Sequence, residues 1–383
     1  MKIYDVLILG AGASGLMCAS HLDKKLDVAI VDANEKVAKK LKISGGGKCN
    51  ITNVEVSEHN FEGDEELVEY VLSVFSRDDL LEFLHNNGVE PIVRKGRYYF
   101  CKNSSDEIIN ILKAKTRHFD TLLNREILGL KKLDALFELK TSKGVLKSKK
   151  VVVATGGKSF KTLGASEIGL KIAKDFGVQV KEFTPALVGL TVQKEQFWMK
   201  ELSGLSCYVH ITVNNKILQE DLLFTHKGIS GPAVLSASLY WQKGNISVNF
   251  LPELNILELI QAGKKLVSSV IPLPKRLSRA ILKALDVKDI ECAKLTKEAI
   301  EKLKNIHTYS FAPAGNFGFT KAEVSRGGVF SEEINRFTLE ALDVENLYFI
   351  GEVVDVTGEL GGYNFQWAFS SAVVCANNIR NKD

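Results

Sequence analysis

The sequence has few of the features that mark membrane, secreted or metal-binding proteins. It has no run of ~18 apolar residues, which argues against a membrane-spanning helix. The six cysteines are scattered and none forms a Cys-x-x-Cys pair, so we predict no disulfide framework, zinc site or dithiol redox pair. Because this use of cysteine fits a reducing compartment, we expect a cytoplasmic protein without a metal site.

A large excess of one charge is also missing. The 50 basic and 46 acidic side chains leave a net charge of +4 over 383 residues. This near-neutral balance argues against a nucleic-acid partner, and we interpret local lysine clusters as solvated faces. The hydrophobic content of 45% is ordinary for a globular protein, but the chain is too long for one core of the usual size. We expect two or three domains, and the composition leaves the oligomeric state open.

The most informative segment that is present runs from Asp5 to Gly15. A strand leads directly into the glycines of Gly10-x-Gly12-x-x-Gly15, and a helix follows at once. Asp5 interrupts the first apolar run, which favours a strand over a signal peptide. In this pattern the first glycine makes a tight turn, the second admits a pyrophosphate and the third lets the helix pack on the strand. The helix N-terminus then attracts the phosphates.

The residues that follow complete a dinucleotide-binding fingerprint. A second apolar strand, Val28–Val31, ends in Asp32, where an acid accepts hydrogen bonds from the adenosine ribose. Ala19 extends the pattern to GxGxxGxxxA, the form commonest among FAD proteins, and the acid disfavours the 2′-phosphate of NADP. We therefore predict a bound adenine dinucleotide. The alternative is a glycine-rich turn without a ligand.

Two further glycine segments are expected to approach the same ligand. Ser44–Asn50 holds three consecutive glycines, which indicates a ligand loop, with a flexible linker as the alternative. A β-meander precedes the apolar strand Val151–Val153, which ends in the segment Ala154–Gly157. This meander crossover is typical of FAD-type domains, and the carboxyl end of such a strand is where open α/β sheets bind ligands.

The C-terminal part of the chain returns to the first domain. The strand Leu347–Ile350 ends at Gly351, and we expect Glu352 to accept hydrogen bonds from ribityl hydroxyls. A glycine-rich segment then opens the last helix. We expect its first N–H groups, Gly362 to Phe365, to face the pyrimidine edge of a flavin. The alternative is a surface helix that merely begins with glycines.

The middle of the chain has a different character. Alternating strands such as Val209–Val213 predict a β-barrel-like part over residues 185–252, and helical spacing predicts a helical part over 253–308. The fold class we predict is therefore α/β. A Rossmann-like FAD-binding domain, residues 1–184 and 309–383, is interrupted by an insert domain, 185–308, that lies over the flavin cleft as a separate folding unit.

Six segments carry a family resemblance, and the long second, fourth and last are the most specific. They are Gly10–Gly15, Lys40–Asn53, Ala154–Ser159, Leu223–Ala233, Gly327–Val329, and Gly351–Trp367. Through them the chain resembles, nearly end to end, the BaiN/RdsA family of NAD(P)/FAD-dependent oxidoreductases. It departs from the family pattern at Phe100, where relatives have proline, and in Phe160–Gly169, which lacks the family's aspartate.

The resemblance implies an FAD site built from the glycine loops and Glu352. The cofactor-binding residues that we predict are Gly10, Gly12, Ala13, Ser14, Gly15, Asp32, Ala33, Lys40, Ser44, Gly45, Gly46, Gly47, Cys49, Asn50, Thr155, Gly156, Gly157, Gly351, Glu352, Gly362, Tyr363 and Asn364. The resemblance does not identify the substrate, because family members differ.

The expected function is hydride transfer between bound flavin and a small organic substrate. With only one full GxGxxG, NAD(P)H would dock transiently as electron donor, or the substrate would reduce the flavin directly. No catalytic residue can be assigned. Tyr363, Asn364 and Gln366 are candidate ring-side or substrate contacts. His226 is a candidate acid/base with a structural role as the alternative, and Cys49 a candidate redox partner with packing as the alternative.

Two other functions stay open. The first is an FAD-dependent RNA-modifying protein, which a strong basic stripe on the insert would support. The second is a flavin-binding sensor without turnover.

Overall fold

The computed structural model describes residues 2–381, which form two compact units. The first unit combines residues 2–185 with 323–381, and the second spans Ala186–Ala322. Within the described range, no helix is both long enough and apolar enough to cross a membrane.

The strands, in chain order, are β1 (Ile3–Leu9), β2 (Val28–Val31), β3 (Asn50–Asn53), β4 (Phe61–Glu62), β5 (Ile92–Arg94), β6 (Tyr98–Phe100), β7 (Asp120–Leu122), β8 (Ile127–Leu133), β9 (Leu136–Thr141), β10 (Gly144–Val153), β11 (Val180–Ala186), β12 (Leu190–Val192), β13 (Ser206–Val213), β14 (Lys216–Thr225), β15 (Gly228–Ser230), β16 (Ile246–Asn249), β17 (Tyr309–Phe311), β18 (Pro313–Asn316), β19 (Val324–Val329), β20 (Leu347–Phe349) and β21 (Thr357–Gly358).

The helices are α1 (Ala13–His21), α2 (Lys39–Gly47), α3 (Glu65–Val74), α4 (Arg77–His85), α5 (Asp106–Thr116), α6 (Ile168–Asp175), α7 (Trp198–Glu201), α8 (Pro232–Tyr240), α9 (Ile256–Leu259), α10 (Val267–Val270), α11 (Lys275–Ala284), α12 (Lys297–Lys304) and α13 (Tyr363–Asn381).

The central sheet of the first unit has the Rossmann-like arrangement that the sequence predicts. Its order is β7-β2-β1-β10-β9-β8, and β20 also pairs with β10. The pairs β7–β2, β2–β1, β1–β10 and β10–β20 are parallel, whereas β8, β9 and β10 form an antiparallel meander. β10 thus starts in the meander and finishes inside the parallel sheet, which confirms the meander crossover.

This sheet places several chain segments at one edge. β1, β2, β10 and β20 are parallel, so the residues that follow each of them lie at the same end of the sheet. Those residues are Gly10, Asp32, Ala154 and Ile350, and Gly351 comes next after Ile350. The carboxyl edge of the sheet is therefore where the predicted ligand segments converge.

The second unit is built around an antiparallel sheet. Its order is β17-β16-β13-β14-β15-β12-β18, and its buried face shares one core with the helical segment through residues such as Phe224, Val248 and Ile281. The sequence placed the end of the insert at 308, but the compact unit continues to Ala322. The reason is that β17 pairs with β16 and β18 pairs with β12, so the first two strands after residue 308 complete this sheet.

Candidate functional site

Two glycines of the first loop are required by packing. Gly10 has φ +114°, and a Cβ there would collide with the carbonyl oxygen of Ala154 at the end of β10. A Cβ on Gly15 would collide with the carbonyl oxygen of Gly10. These two positions hold the loop against the sheet and α1 against the loop, as the fingerprint predicts.

Gly12 is different, because nothing in the fold requires a glycine there. Its φ of −83° is one that any residue adopts, and a Cβ would have no heavy atom within 4 Å among the described residues outside its chain neighbours. Gly12 also precedes α1 as its N-cap. The missing side chain leaves open space beside the positive end of a helix, which suits a phosphate group.

Asp32 anchors this loop and retains capacity to accept more hydrogen bonds. Its carboxylate accepts one from the Ala11 N–H at 2.7 Å and one from the Asn34 N–H at 2.7 Å. An ionised carboxylate has about four acceptor positions, so about two remain for ligand hydroxyls. Ala33, the next residue, is exposed, while Ala13 at the start of α1 is half-buried.

The second glycine loop breaks α2. Ser44 has an extended backbone, and Gly45, Gly46 and Gly47 have φ values of +55°, +66° and +83°. The Ser44 hydroxyl donates to the Leu41 carbonyl at 2.8 Å, which ends the right-handed part of the helix. These residues therefore do not continue the regular helix.

The same loop combines tight and open positions. A Cβ on Gly45 would lie 2.8 Å from the Phe100 ring, whereas one on Gly46 would have no neighbour within 4 Å in the described part of the chain. The Gly47 carbonyl accepts the Ser105 N–H at 2.8 Å, which fixes the loop from behind. The buried Oδ1 of Asn50 has no partner among the described residues. The loop therefore offers an open backbone and one acceptor that still needs a donor.

Lys40 and Glu352 connect this loop to the C-terminal part of the chain. The Lys40 ammonium donates to the Glu352 carboxylate at 2.7 Å, and the Ser325 N–H donates to its other oxygen at 2.8 Å. A Cβ on Gly157 would lie 2.6 Å from that same carboxylate. Glu352 is thus held by protein groups on both oxygens. The role of Ser325 could not be predicted from the sequence, because an isolated serine in a strand belongs to no recognisable motif.

The loop after β10 also leaves space for a ligand. Gly156 has φ +69°, and the nearest atom to a Cβ there would be a Glu352 carboxylate oxygen at 3.9 Å. The Thr155 hydroxyl is buried and has no hydrogen-bond partner in residues 2–381. Beyond it, the N–H groups of Lys158 and Ser159 donate to the Ser325 hydroxyl at 2.8 and 3.2 Å.

The last helix begins against β3 of the same unit. A Cβ on Gly362 would lie 2.7 Å from the Thr52 backbone, and Asn53 donates to the Gly361 carbonyl at 3.1 Å. Gly351, at the end of β20, comes similarly close to Ser14, since a Cβ there would lie 2.7 Å from the Ser14 hydroxyl. Contacts therefore connect all the predicted loops around one edge of the first unit.

The polar side chains proposed as ring-side contacts are already engaged in structural bonds. Asn364 donates to the Gly358 carbonyl at 2.8 Å and accepts the Gly358 N–H at 3.0 Å. Gln366 is fully buried, accepts from Thr52 at 2.7 Å and donates to Ser370 at 3.0 Å. Tyr363 is buried, and burial raises its pKa to about 12. The polar atoms of Asn364 and Gln366 therefore already have partners within the fold.

The two candidates for redox and acid/base chemistry lie in different units. Burial raises the pKa of the Cys49 thiol to about 12, so the sulfur is protonated at neutral pH and chemically quiet. His226 is exposed in the turn between β14 and β15 of the second unit. The residues described here contain no cluster of three or more metal-binding side chains.

Comparison with protein families gives a match over nearly the whole chain. The family described as HI0933-like protein Rossmann domain matches residues 4–378. The Ribosomal RNA dihydrouridine synthase of Haemophilus influenzae is 36% identical over 391 residues, covering 97% of this chain and 98% of the relative. The protein of the same name from Escherichia coli K12 is 34% identical over 394 residues, covering 99% of this chain and 98% of its own length.

A relative with a different name is more distant. The 3-dehydro-bile acid delta(4,6)-reductase of Clostridium scindens is 27% identical over 399 residues, covering 95% of this chain and 96% of its own length. Among solved structures, an E. coli quinol fumarate reductase FrdA variant superimposes with a TM-score of 0.54 at 12% identity. That match covers 100% of this chain and 70% of the other and shows a shared fold.

Proposed function

The chain belongs to the HI0933-like family, and on this basis we propose that it is an FAD-dependent reductase of carbon–carbon double bonds conjugated to a carbonyl group. The observation that carries the cofactor assignment is Gly12. Its backbone is ordinary and its surroundings are open, so the fold alone gives no reason for a glycine. A pyrophosphate against this backbone supplies that reason.

The other open and unpartnered groups fit the same cofactor. Asp32 would accept the adenosine ribose hydroxyls through its remaining lone pairs. Asn50 and Thr155 each have a buried side-chain oxygen without a partner among the described residues, and polar groups of a bound ligand would satisfy both. Gly46 and Gly156 would let the ligand approach the backbone.

When bound, FAD supplies the hydride chemistry, and the protein supplies position and electrostatics. The first N–H groups of α13 would hold negative charge, because a helix N-terminus carries a partial positive charge. The Lys40–Glu352 pair would fix the two loops between which the cofactor binds. Burial keeps the Cys49 thiol protonated, so Cys49 would contribute packing alone.

The names of the relatives define the proposed bond change. Dihydrouridine is uridine whose ring double bond, conjugated to a carbonyl, has gained two hydrogens. A delta(4,6)-reductase acting on a 3-dehydro bile acid likewise reduces double bonds conjugated to a ketone. We favour a uridine of ribosomal RNA as the substrate, since the relatives so named are 36% and 34% identical and the bile acid reductase is 27% identical.

This proposal departs from the expectation based on charge balance. A net charge of +4 argued against a nucleic-acid partner, but two relatives along nearly the whole chain are named as acting on ribosomal RNA. A small carbonyl-conjugated alkene remains the alternative substrate, supported by the name of the more distant relative. NAD(P)H is the proposed electron donor and would bind transiently.

The test is to isolate the full chain, quantify bound FAD and incubate it with NADPH or NADH and ribosomal RNA that lacks dihydrouridine. We expect about one FAD per chain and dihydrouridine in the RNA digest by mass spectrometry. Protein without flavin would contradict the cofactor assignment. Flavoprotein that leaves the RNA unchanged while it reduces a 3-oxo-Δ4,6 bile acid would contradict the RNA assignment.

A further inference from the structure

One stretch of the second unit departs sharply from the even charge of the whole chain. Between Glu258 and Asp286 the sequence has no acidic residue. The same stretch contains six basic residues, Lys264, Lys265, Lys275, Arg276, Arg279 and Lys283. The near-neutral total conceals this local concentration of positive charge.

Helix α11 arranges four of these cations on its surface. Leu277 and Ile281 face the core and are fully buried. The side chains of Lys275, Arg276, Arg279 and Lys283 are exposed. Because side chains four positions apart lie one above another on a helix, the first, third and fourth of these form a continuous stripe.

The stripe is hardly neutralised by the protein. No ion pair with a described residue involves Lys275 or Lys283. Among the described residues, Arg279 has one ion pair, a long contact of 3.8 Å with Asp289, whose carboxylate already accepts from Ser268 at 2.6 and 2.9 Å. Arg276 donates to the backbone carbonyl of Glu201 at 2.7 Å, and this neutral acceptor leaves the positive charge of Arg276 unneutralised.

Helix α12 of the same unit shows how such a helix is ordinarily built. It is also short, amphipathic and rich in lysine, but Lys302 pairs with Glu298 at 3.0 Å and Lys304 pairs with Glu301 at 2.6 Å. Ion pairs within α12 thus neutralise its lysines, whereas α11 contains no acidic residue that could do the same.

The first turn of α11 also opposes the helix dipole. Helices α3, α4, α5 and α12 each have acids in the first turn, where negative charge is favourable. α11 has none and places Lys275 and Arg276 there. Lys275 has no ion pair with a described residue that would offset this cost, and a local rule broken in this way indicates a functional demand.

We propose that the exposed cationic stripe of α11 is a docking surface for the phosphate backbone of the RNA substrate. This inference rests on the RNA reduction proposed above and adds where the second unit would hold the nucleic acid. Phosphate contacts position a nucleic acid without reading its sequence, which suits a row of lysines and arginines without acids. Sequence choice would then belong to other parts of the protein.

The test uses the full-length FAD-bound protein and a fluorescein-labelled, uridine-containing single-stranded RNA. Binding is followed by anisotropy over a series of potassium chloride concentrations. The variant Lys275→Gln/Arg279→Gln/Lys283→Gln removes the stripe and spares Arg276, which bonds to α7. The matched control, Lys297→Gln/Lys302→Gln/Lys304→Gln, removes the same charge from α12.

We expect the α11 variant to lose roughly tenfold or more in affinity. The slope of log affinity against log salt should fall by about 2, because each phosphate contact on a single strand contributes about 0.7. The α12 control should stay within about twofold of the wild type. Equal losses in both variants, or none in the α11 variant, would overturn the proposal. So would binding to phosphatidylglycerol vesicles, through the same residues, by protein that does not bind RNA.

A parallel assay of dihydrouridine separates this proposal from the proposed function. Wild-type protein that binds RNA through α11 but forms no dihydrouridine would refute RNA reduction and leave the docking surface standing. If the α11 variant reduces RNA at the wild-type rate with an unchanged Michaelis constant for RNA, the docking surface is refuted and the proposed function still stands.

Discussion

The Lys40 ammonium and the Glu352 carboxylate, 312 positions apart in the sequence, lie 2.7 Å from each other. Lys40 belongs to α2, just before the second glycine loop, and Glu352 follows β20 at the carboxyl edge of the sheet. Their side chains are 34% and 19% exposed. The pair therefore joins the N-terminal and C-terminal parts of the first unit at the predicted cofactor site.

Replacing Lys40 should destabilise the first unit. Lys40→Met leaves the poorly exposed Glu352 without its cation, and we expect the free energy of unfolding to fall by about 1–3 kcal/mol. Lys42→Met is the matched control, because Lys42 pairs with Asp106 where both side chains are about half exposed. Its effect should stay within about 0.5 kcal/mol. Urea denaturation would show both, and equal effects would mean that the Lys40 pair has no special role.

Gly12 should be dispensable for folding and necessary for FAD binding. Gly12→Ala places a methyl group in open space at an ordinary φ, so we expect a loss of stability of no more than about 1 kcal/mol. The isolated protein should be colourless or bind FAD far more weakly. Gly129→Ala is the control, since Gly129 in β8 also has no neighbour within 4 Å of a Cβ in the described chain.

Absorbance of the purified proteins and their melting temperatures decide this prediction. A yellow Gly12→Ala protein with full FAD occupancy would show that no pyrophosphate approaches this backbone. Gly15→Ala should instead fail to fold, because its Cβ would collide with the Gly10 carbonyl.

The start of α13 should tune the flavin. Phe365→Pro keeps a conformation allowed in a first helical turn but removes one N–H donor. If this helix faces the pyrimidine edge, the midpoint potential should fall by roughly 5–40 mV, which corresponds to about 0.3–2 kcal/mol for a two-electron couple. Phe365→Ala removes the side chain and keeps the donor, so its potential should match the wild type. Equal potentials in all three proteins, with FAD bound, would place the helix away from the ring.

Cys49 should prove inert. Because burial raises the pKa of its thiol to about 12, the thiolate is absent at neutral pH. Raising the pH to 9 should therefore cause no increase in turnover that depends on Cys49. Native protein should resist thiol reagents, and Cys49→Ala should retain turnover. Rapid alkylation of Cys49 together with loss of turnover in the alanine variant would restore the redox role.

Patterns of residues that are close together in the sequence were enough to predict the fold of the first unit around the proposed cofactor site. The strand, glycine turn and acid from Asp5 to Asp32 are close in sequence, and each position has a distinct physical demand. The antiparallel meander that leads into β10 could also be predicted, because polar and apolar residues alternate along it. The end of the second unit could not be predicted in this way, because β17 and β18 pair with strands that are far away in the sequence.

Side-chain roles at the site were harder to predict for the same reason. The polar groups of Gln366 looked free for a ligand, but Thr52 and Ser370 occupy them. The role of Ser325 depends on Glu352 and on the loop after β10, and no single segment reveals it. Total charge was equally misleading about α11, because it averages over acidic residues in other parts of the chain.

The most direct test of the proposed reduction is single-turnover reoxidation without oxygen. The protein is reduced with NADPH or NADH until the flavin absorbance is bleached, and ribosomal RNA that lacks dihydrouridine is then added. We predict that the oxidised flavin spectrum returns and that about one dihydrouridine forms per flavin reoxidised. Flavin that stays reduced in the presence of the RNA, or that reoxidises without forming dihydrouridine, would contradict the account.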